Sequence, residues 1–342
     1  MTRVWTVVGD RSSIHVRRLA TAYRDRGLRV HVATFEGEPI DGVGWHILGN
    51  RPVKAHRRYP LAIPALARLV AQIRPHVVHA HYLSSYGVIA AIARHLSARR
   101  SYRLVQTVWG SDLLVTARES RVRRPLARFA LRSADLITGD SADLLDEAAK
   151  LAPQVARHRF VFGPPAALLE ASRTDEPTVL SARGLAPEMR VDRIIEAFAA
   201  MPNEWQLIVA GDGQERAPLE DLAQTNHRVT FAGHLAQDEL HQLMLRARIA
   251  VSIPISDGTS AALLEALAAG MAPLVNDLPA NREWVTDEVG AVVPKDPTTA
   301  EIADALTRLR MRSPTPAKAR ALIEASLWED EIAGLIKRIG QL

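Results

Sequence analysis

The sequence predicts an α/β protein made of two doubly wound parallel-sheet domains, and three observations predict it. The 342 residues exceed the roughly 250–300 at which one core stops growing, so two domains are expected. Short β-branched runs alternate with amphipathic stretches along the whole chain, the pattern of parallel strands joined by crossover helices. That alternation breaks at Gly163-Pro164-Pro165, where two prolines interrupt regular structure, and then restarts.

In the first series, strands are expected at VWTVV (4–8), RVHVAT (29–34), HVVHA (76–80), RLVQTVW (103–109) and LITG (136–139), with helices at 15–26, 61–73 and 86–98. The second series reads TVLSA (178–182), WQLIVAG (205–211), VTFAG (229–233), IAVSI (249–253), APLVN (272–276) and AVVP (291–294). The expected domains are 1–163 and 164–327, with a hinge near 163–172. Hydrophobic residues at 47% and charged ones at 24% describe an ordinary globular chain. The absence of cysteine excludes disulfides and thiolate metal sites. The start, MTRVWTVVGDRSS, lacks the apolar core of a signal peptide, and nowhere do about 18 apolar residues run together. A cytoplasmic protein that does not span a membrane is expected.

The net charge of +5 hides a division. Residues 1–163 hold 26 Lys and Arg against 12 Asp and Glu, whereas residues 164–342 hold 17 against 26. Basic residues cluster at 51–58, 94–103 and 118–132. In the last cluster Val122, Leu126, Phe129 and Ala130 recur at helical spacing, so an inward apolar stripe flanked by arginines is expected. Such a face suits an anionic membrane surface or a phosphate-bearing substrate better than it suits plain solvation. Nucleic acid is not expected, since aromatics are only 5% and no recognition motif accompanies the charge.

Open parallel sheets bind ligands beyond the carboxyl ends of their strands. The unusual residues fall there: Gly9-Asp10-Arg11-Ser12-Ser13, His79-Ala80-His81, Trp109-Gly110-Ser111-Asp112, Arg183-Gly184, Gly211-Asp212-Gly213 and Gly233-His234. After IAVSI comes SDGTSAALLEALAAG (256–270), in which Thr259 or Ser260 caps a helix ending near Ala269, with Gly270 beyond. Asp257 precedes that helix, and Glu265 lies about one and a half turns in, among leucines and alanines. A carboxylate there is costly unless it is hydrogen-bonded. The amides of Gly258, Thr259, Ser260 and Ala261 offer an anion site, and ionised acids bind vicinal hydroxyls. A ligand with sugar hydroxyls at both ends and a diphosphate between fits; the alternative is a helix-dipole acid and an internal structural partner. His79 and His81 face the same side of a strand. Zinc would need a third ligand, which is not evident, so an acceptor contact is preferred over a metal or a satisfied core pair.

SDGTSAALLEALAAG resembles the acid–seven residues–acid signature of retaining glycosyltransferases of family 4, which have the GT-B fold of two Rossmann-like domains facing a cleft. SSIHVRRLATAYRDRGLRVHVAT, PHVVHAH, TVWGSD, VLSARGLAPEMRVDRIIEAF, GDGQERAPLEDLA, VTFAGHLAQDELHQLM and NREWV are similar to further family stretches, in the same order. The resemblance implies a sugar transfer with retention, a nucleotide-sugar as co-substrate, and no metal or other cofactor. It implies that Glu265 accepts from the ribose hydroxyls and Asp257 from those of the transferred sugar. Gly258, Thr259 and Ser260 would meet sugar and diphosphate, with Arg183 neutralising the departing diphosphate. Arg190 and Gly211 would adjoin the donor, and His234 falls where the base docks. His79, His81, Asp112 and the loop of Gly9, Ser12, Ser13 and His15 would line the acceptor side. The final helix, 328–342, would pack back on the first domain, with Trp328 as its anchor.

Three positions depart from the family pattern. The first acid is Asp257 instead of Glu, Thr259-Ser260 replaces Phe-Gly, and Met189 stands where a lysine usually pairs with the arginine. Two other activities suit the same architecture: a nucleotide-sugar epimerase and a non-catalytic sugar-binding protein. For the basic first domain a lipid-linked or phosphorylated acceptor is expected, met at the inner face of a membrane, with a soluble acceptor as the alternative.

Overall fold

The computed structural model describes residues 3–9, 14–35, 37–49, 55–97, 101–110, 113, 123–312 and 315–342, with the backbone alone for 55–60. The chain divides into two units, one of Met1–Phe160 with Ile332–Leu342, the other of Val161–Glu331. Each is a parallel sheet covered by helices, as the alternating pattern requires.

Unit 1 runs β1 (Val4–Val8), α1 (Ile14–Asp25), β2 (Arg29–Thr34), β3 (Gly44–Ile47), α2 (Ala55–Ile73), β4 (Val77–His81), α3 (Val88–Leu96), β5 (Arg103–Thr107), α4 (Arg123–Arg132), β6 (Leu136–Gly139), α5 (Ala142–Leu151) and β7 (Ala156–Arg159). Its strand order is β3-β2-β1-β4-β5-β6-β7. The apolar strands β1, β4 and β5 lie in the middle, because a central parallel strand is buried on both faces. The two edge strands were not expected: GWHI and ARHR are four residues each, partly exposed, and lack the apolar run that marks a buried strand.

Between β4 and α3 the backbone is unusual. Tyr82 takes the left-handed conformation at φ 65°, and Leu83–Gly87 form a π-helical turn. Such features concentrate near ligand sites. Helix α2 passes through Pro60 and Pro64, so it starts at Ala55 instead of 61.

The expected inward stripe on α4 is corrected. Ala127, Ala130 and Leu131 are buried there, whereas Leu126 is 42% and Phe129 38% exposed. The narrow alanine side lets the helix pack closely over α3 and α5, and this turns the larger apolar side chains outward.

Unit 2 runs α6 (Ala166–Glu170), β8 (Glu176–Ala182), α7 (Val191–Phe198), β9 (Gln206–Ala210), α8 (Arg216–Ala223), β10 (Val229–Gly233), α9 (Gln237–Met244), β11 (Ala247–Ser252), α10 (Ala261–Ala268), β12 (Ala272–Asn276), α11 (Pro279–Arg282), β13 (Ala291–Val293), α12 (Thr299–Met311) and α13 (Pro316–Ala321), in the order β10-β9-β8-β11-β12-β13. Val179, Leu207, Val209, Ile249 and Val251 pack against Phe198, Ile302 and Leu306 on one face. Leu264, Leu267, Met244 and Trp284 fill the other. The closing helix α14 (Trp328–Gly340) begins where Trp328 stacks on Phe162, ring centroids 5.6 Å apart. Among the described residues no helix is long and apolar enough to cross a membrane.

Gly211 shows why the turn after β9 is glycine. Its φ is 141°, its N–H donates to Gly233 O at 2.7 Å, and a Cβ would overlap the Arg183 carbonyl oxygen. The β9 turn thereby presses on the backbone that carries Arg183. Gly211→Ala is expected to destabilise unit 2 by about 1–3 kcal/mol in urea unfolding. Gly184→Ala, which meets only Asp212 O at 3.9 Å, should cost far less.

Candidate functional site

The polar groups of unit 2 converge at the carboxyl ends of β8 and β11. Arg183 follows β8, and its guanidinium bonds Asp257 Oδ2 at 2.7 Å and Ser260 Oγ at 2.6 Å. Side-chain exposures of 15% and 25% put this ion pair partly out of water, where a charge-assisted contact gains strength over a surface pair. Asp257 Oδ1 also accepts from the Gly258 N–H at 3.0 Å. Ser260 is the N-cap residue of α10, yet its hydroxyl caps no amide of that helix. Its oxygen is engaged by Arg183 instead, which leaves the first turn of α10 without a side-chain cap. A helix terminus of this kind favours an anion.

The loop leading to α10 is fixed from behind. Asn276, fully buried, donates its amide to Pro254 O at 2.7 Å and to Lys295 O at 3.0 Å. Ile255 N donates to Glu188 O at 2.8 Å, and Trp284 Nε1 donates to Thr259 Oγ1 at 3.3 Å. The hollow beneath, between Ala182, Ser252, Ser260 and Leu263, holds only about 20 Å³. With Arg183 closed on Asp257, that admits a water and no sugar.

Glu265 is 5% exposed and faces α9. Its Oε1 accepts from Gln237 Nε2 at 3.0 Å and lies 3.6 Å from His241 Nε2. Gln237 and His241 also bond each other at 2.7 Å, as residues four apart on one helix face can. No lysine or arginine pairs with this buried acid among the described residues. Gln237, His241, Trp284 and Asn276 were missed by sequence reasoning. The i, i+4 spacing of Gln237 and His241 was the one available signal.

Met189 and Arg190 resolve differently from a lysine–arginine pair. Met189 closes a 3-10 turn, Pro187–Met189, and its sulfur lies 3.4 Å from Arg183 Nη2. Arg190 takes φ 55° between that turn and α7. The twist sends its side chain to Lys295 O at 3.0 Å and Asp296 Oδ1 at 3.0 Å, away from Arg183. His234 stands exposed just after β10, next to Gly233, whose φ is 68°.

In unit 1 the two strand-end histidines differ. His79 is fully buried, with Nδ1 bonded to Tyr23 Oη at 2.9 Å and Nε2 to Thr107 Oγ1 at 2.6 Å. Burial pushes its pKa down to about 3. His81 is equally buried, but neither ring nitrogen has a hydrogen-bond partner among the described residues. Its pKa falls well below the usual value through desolvation and the neighbouring His79 and His15. His15 stacks on Trp109 with centroids 4.7 Å apart, and burial with Arg18 lowers its pKa to about 4. A Cβ on Gly9 would meet Val16 at 2.7 Å and His81 at 3.3 Å, so the chain passes close over the histidine. Ser12, Ser13 and Asp112 lie outside the described residues. Among the described residues no three His, Asp or Glu are grouped to hold a metal ion.

Comparison with known proteins assigns both halves of the chain to glycosyltransferase families. Residues 170–325 match the family model described as glycosyl transferases group 1, and residues 6–141 match the one described as glycosyl transferase 4-like. The chain belongs to the family 4 type of glycosyltransferases. Sucrose-phosphate synthase from Thermosynechococcus elongatus aligns over 100% of this glycosyltransferase and 99% of its own chain, at 18% identity and a TM-score of 0.81. Anabaena HepE in complex with UDP and glucose aligns over 99% and 100%, at 17% identity and a TM-score of 0.81. The UDP-N-acetylglucosamine–peptide N-acetylglucosaminyltransferase GtfA subunit of Limosilactobacillus reuteri is 25% identical over 115 residues, 32% of this chain and 22% of its own length. The chain spans between 15% and 33% of the length of the curated relatives it matches.

The buried histidines set a pH dependence. The unfolded chain protonates His15, His79 and His81 near pH 6.5, whereas the folded chain resists to about 4 for His15, about 3 for His79, and well below 6.5 for His81. The unfolded state therefore binds more protons below pH 6.5, and stability is lost as pH falls. Urea unfolding is expected to weaken from pH 6.5 to 4.5, approaching about 1.4 kcal/mol per pH unit for each histidine. A flat profile across that window would count against neutral histidines in the core.

Proposed function

We propose that this chain transfers a sugar, with retention, from a nucleotide-sugar held by unit 2 to an acceptor hydroxyl held by unit 1. The observation that carries the reading is the placement of Arg183, Asp257 and Ser260 around the uncapped start of α10, with the buried Glu265 deeper in that helix. The diphosphate lies against the amides of Gly258, Thr259 and Ser260. Glu265 takes the ribose hydroxyls in exchange for its bond to Gln237, and Asp257 takes hydroxyls of the transferred sugar. The similarity to HepE, whose structure holds UDP and glucose, supports a donor of this class.

Transfer breaks the bond between the anomeric carbon and the diphosphate oxygen and forms one from the acceptor oxygen on the same face. The acceptor proton passes to the departing phosphate. Charge grows on that phosphate, where the Arg183 guanidinium and the α10 terminus stabilise it. With Met189 in the lysine position, one cation carries a load that a pair usually shares. His81, buried with both nitrogens unbonded, is the acceptor-side group whose hydrogen bond a sugar hydroxyl supplies. His79 orients the strand end through Tyr23 and Thr107 instead of touching substrate. No metal or other cofactor is needed in this scheme. The basic balance of residues 1–163 favours an acceptor carried on a lipid or a phosphate.

Asp257→Asn and Glu265→Gln are each expected to cut nucleotide-sugar turnover at least tenfold, about 1.4 kcal/mol of transition-state stabilisation. Both should keep the wild-type melting temperature to within a few degrees. Undiminished turnover in both variants would refute the reading. A nucleotide-sugar screen by thermal shift identifies the donor, since a ligand at 100 times its Kd adds about 2.7 kcal/mol.

A further inference from the structure

We infer that the outward face of α3 and α4 in unit 1 docks on an anionic lipid bilayer. Arg123, Leu126, Phe129 and Arg132 recur every third residue and form one row along α4. All four are exposed, Leu126 at 42% and Phe129 at 38%. Leu96, the last residue of α3, is 66% exposed, and the ring of His95 beside it lies 5.2 Å from that of Phe129. The ring contact sets the exposed end of α3 beside the exposed row of α4.

The charge on α4 itself is of one sign. Helix α4 holds four arginines and no acid. Exposed Arg124 and Arg128 make no ion pair or hydrogen bond among the described residues. Arg94 adds little, being closed on Asp135 at 2.8 Å. An amphipathic helix in a bilayer interface buries apolar side chains at the headgroup–acyl boundary while its arginines meet phosphates. A dissolved polyanion would engage the arginines and leave Leu96, Leu126 and Phe129 in water. A second copy joined through the same face would set four arginines against four, because a two-fold interface opposes a patch to itself. The bilayer satisfies both parts at once. The remaining charge of residues 1–163 draws the face toward the membrane from a distance.

This inference does not rest on the donor-site reading, and the test separates them. The full chain is sedimented with phosphatidylcholine vesicles containing phosphatidylglycerol, and with phosphatidylcholine alone, at low and high salt. Partition is expected only onto the anionic vesicles, weakening with salt. Arg124→Gln with Arg128→Gln should lower partition by roughly tenfold or more, at about fivefold per arginine. Leu126→Ser with Phe129→Ser should lower it at high salt as well, where charge contributes least. These exposed substitutions should leave the melting temperature and the thermal shift by UDP as in the wild type. Wild-type partition equal on both vesicle types, or variants that partition like the wild type, would overturn the inference. So would a dimer dissociated by the Leu126→Ser, Phe129→Ser variant together with indifference to vesicles. A wild type that shows no thermal shift with any nucleotide-sugar of the screen would count against the donor reading alone.

Discussion

The contact between the Arg183 guanidinium and the Asp257 carboxylate organises the polar end of unit 2. It ties the end of β8 to the loop after β11, the two strands at the centre of that sheet. It also explains why Ser260 does not cap α10, since the same guanidinium draws its hydroxyl away. The helix terminus is consequently left for an anion. Gly211 supports the arrangement from below, its turn fitted against the Arg183 backbone, and Met189 closes it at the side. In the proposed transfer, Arg183, neutralised at rest by Asp257, passes to the diphosphate when Asp257 takes sugar hydroxyls instead. The exchange conserves hydrogen bonds on both sides, which keeps its cost low.

The two units solve their polar problems differently. In unit 2 the charged groups are matched with opposite charges or amides, and Glu265 leans on Gln237 and His241. In unit 1 the polar groups at the β4 end are neutral histidines kept unprotonated by burial. His79 has both nitrogens bonded and acts as a strut between Tyr23 and Thr107, while His81, two residues on, has neither bonded. The π-helical turn and the left-handed Tyr82 follow at once. The left-handed backbone thus stands beside a buried imidazole with no hydrogen-bond partner among the described residues.

Central strands were legible because burial on both faces forces continuous apolar runs, as in β8, β9, β11 and β12; the partly buried edge strands β10 and β13 of unit 2 still carry short β-branched runs. The edge strands β3 and β7 do not, since Gly44–Ile47 and Ala156–Arg159 need only one neighbour and half a core. The expected helix at 61–73 began too late, since α2 continues back through Pro60 to Ala55. Periodicity alone placed Leu126 and Phe129 inward. Small residues on the opposite side of α4 offered closer packing, and close packing won. Glu265 stood out because it conflicts with its apolar surroundings, and Asp257 because it precedes the same helix by way of free amides. Their partners did not: Gln237 and His241 are ordinary residues on an exposed helix until the fold brings Glu265 beside them. The fate of Arg190 depends on a left-handed backbone that no side-chain pattern reveals.

The most direct measurement is a crystal structure of this protein with a bound uridine diphosphate-sugar. The account predicts Glu265 accepting from the ribose hydroxyls and the phosphates resting on the amides of 258–260. Arg183 should be turned from Asp257 to the diphosphate. A complex in which Arg183 stays closed on Asp257, and Glu265 stays bonded only to Gln237 and His241, would contradict it.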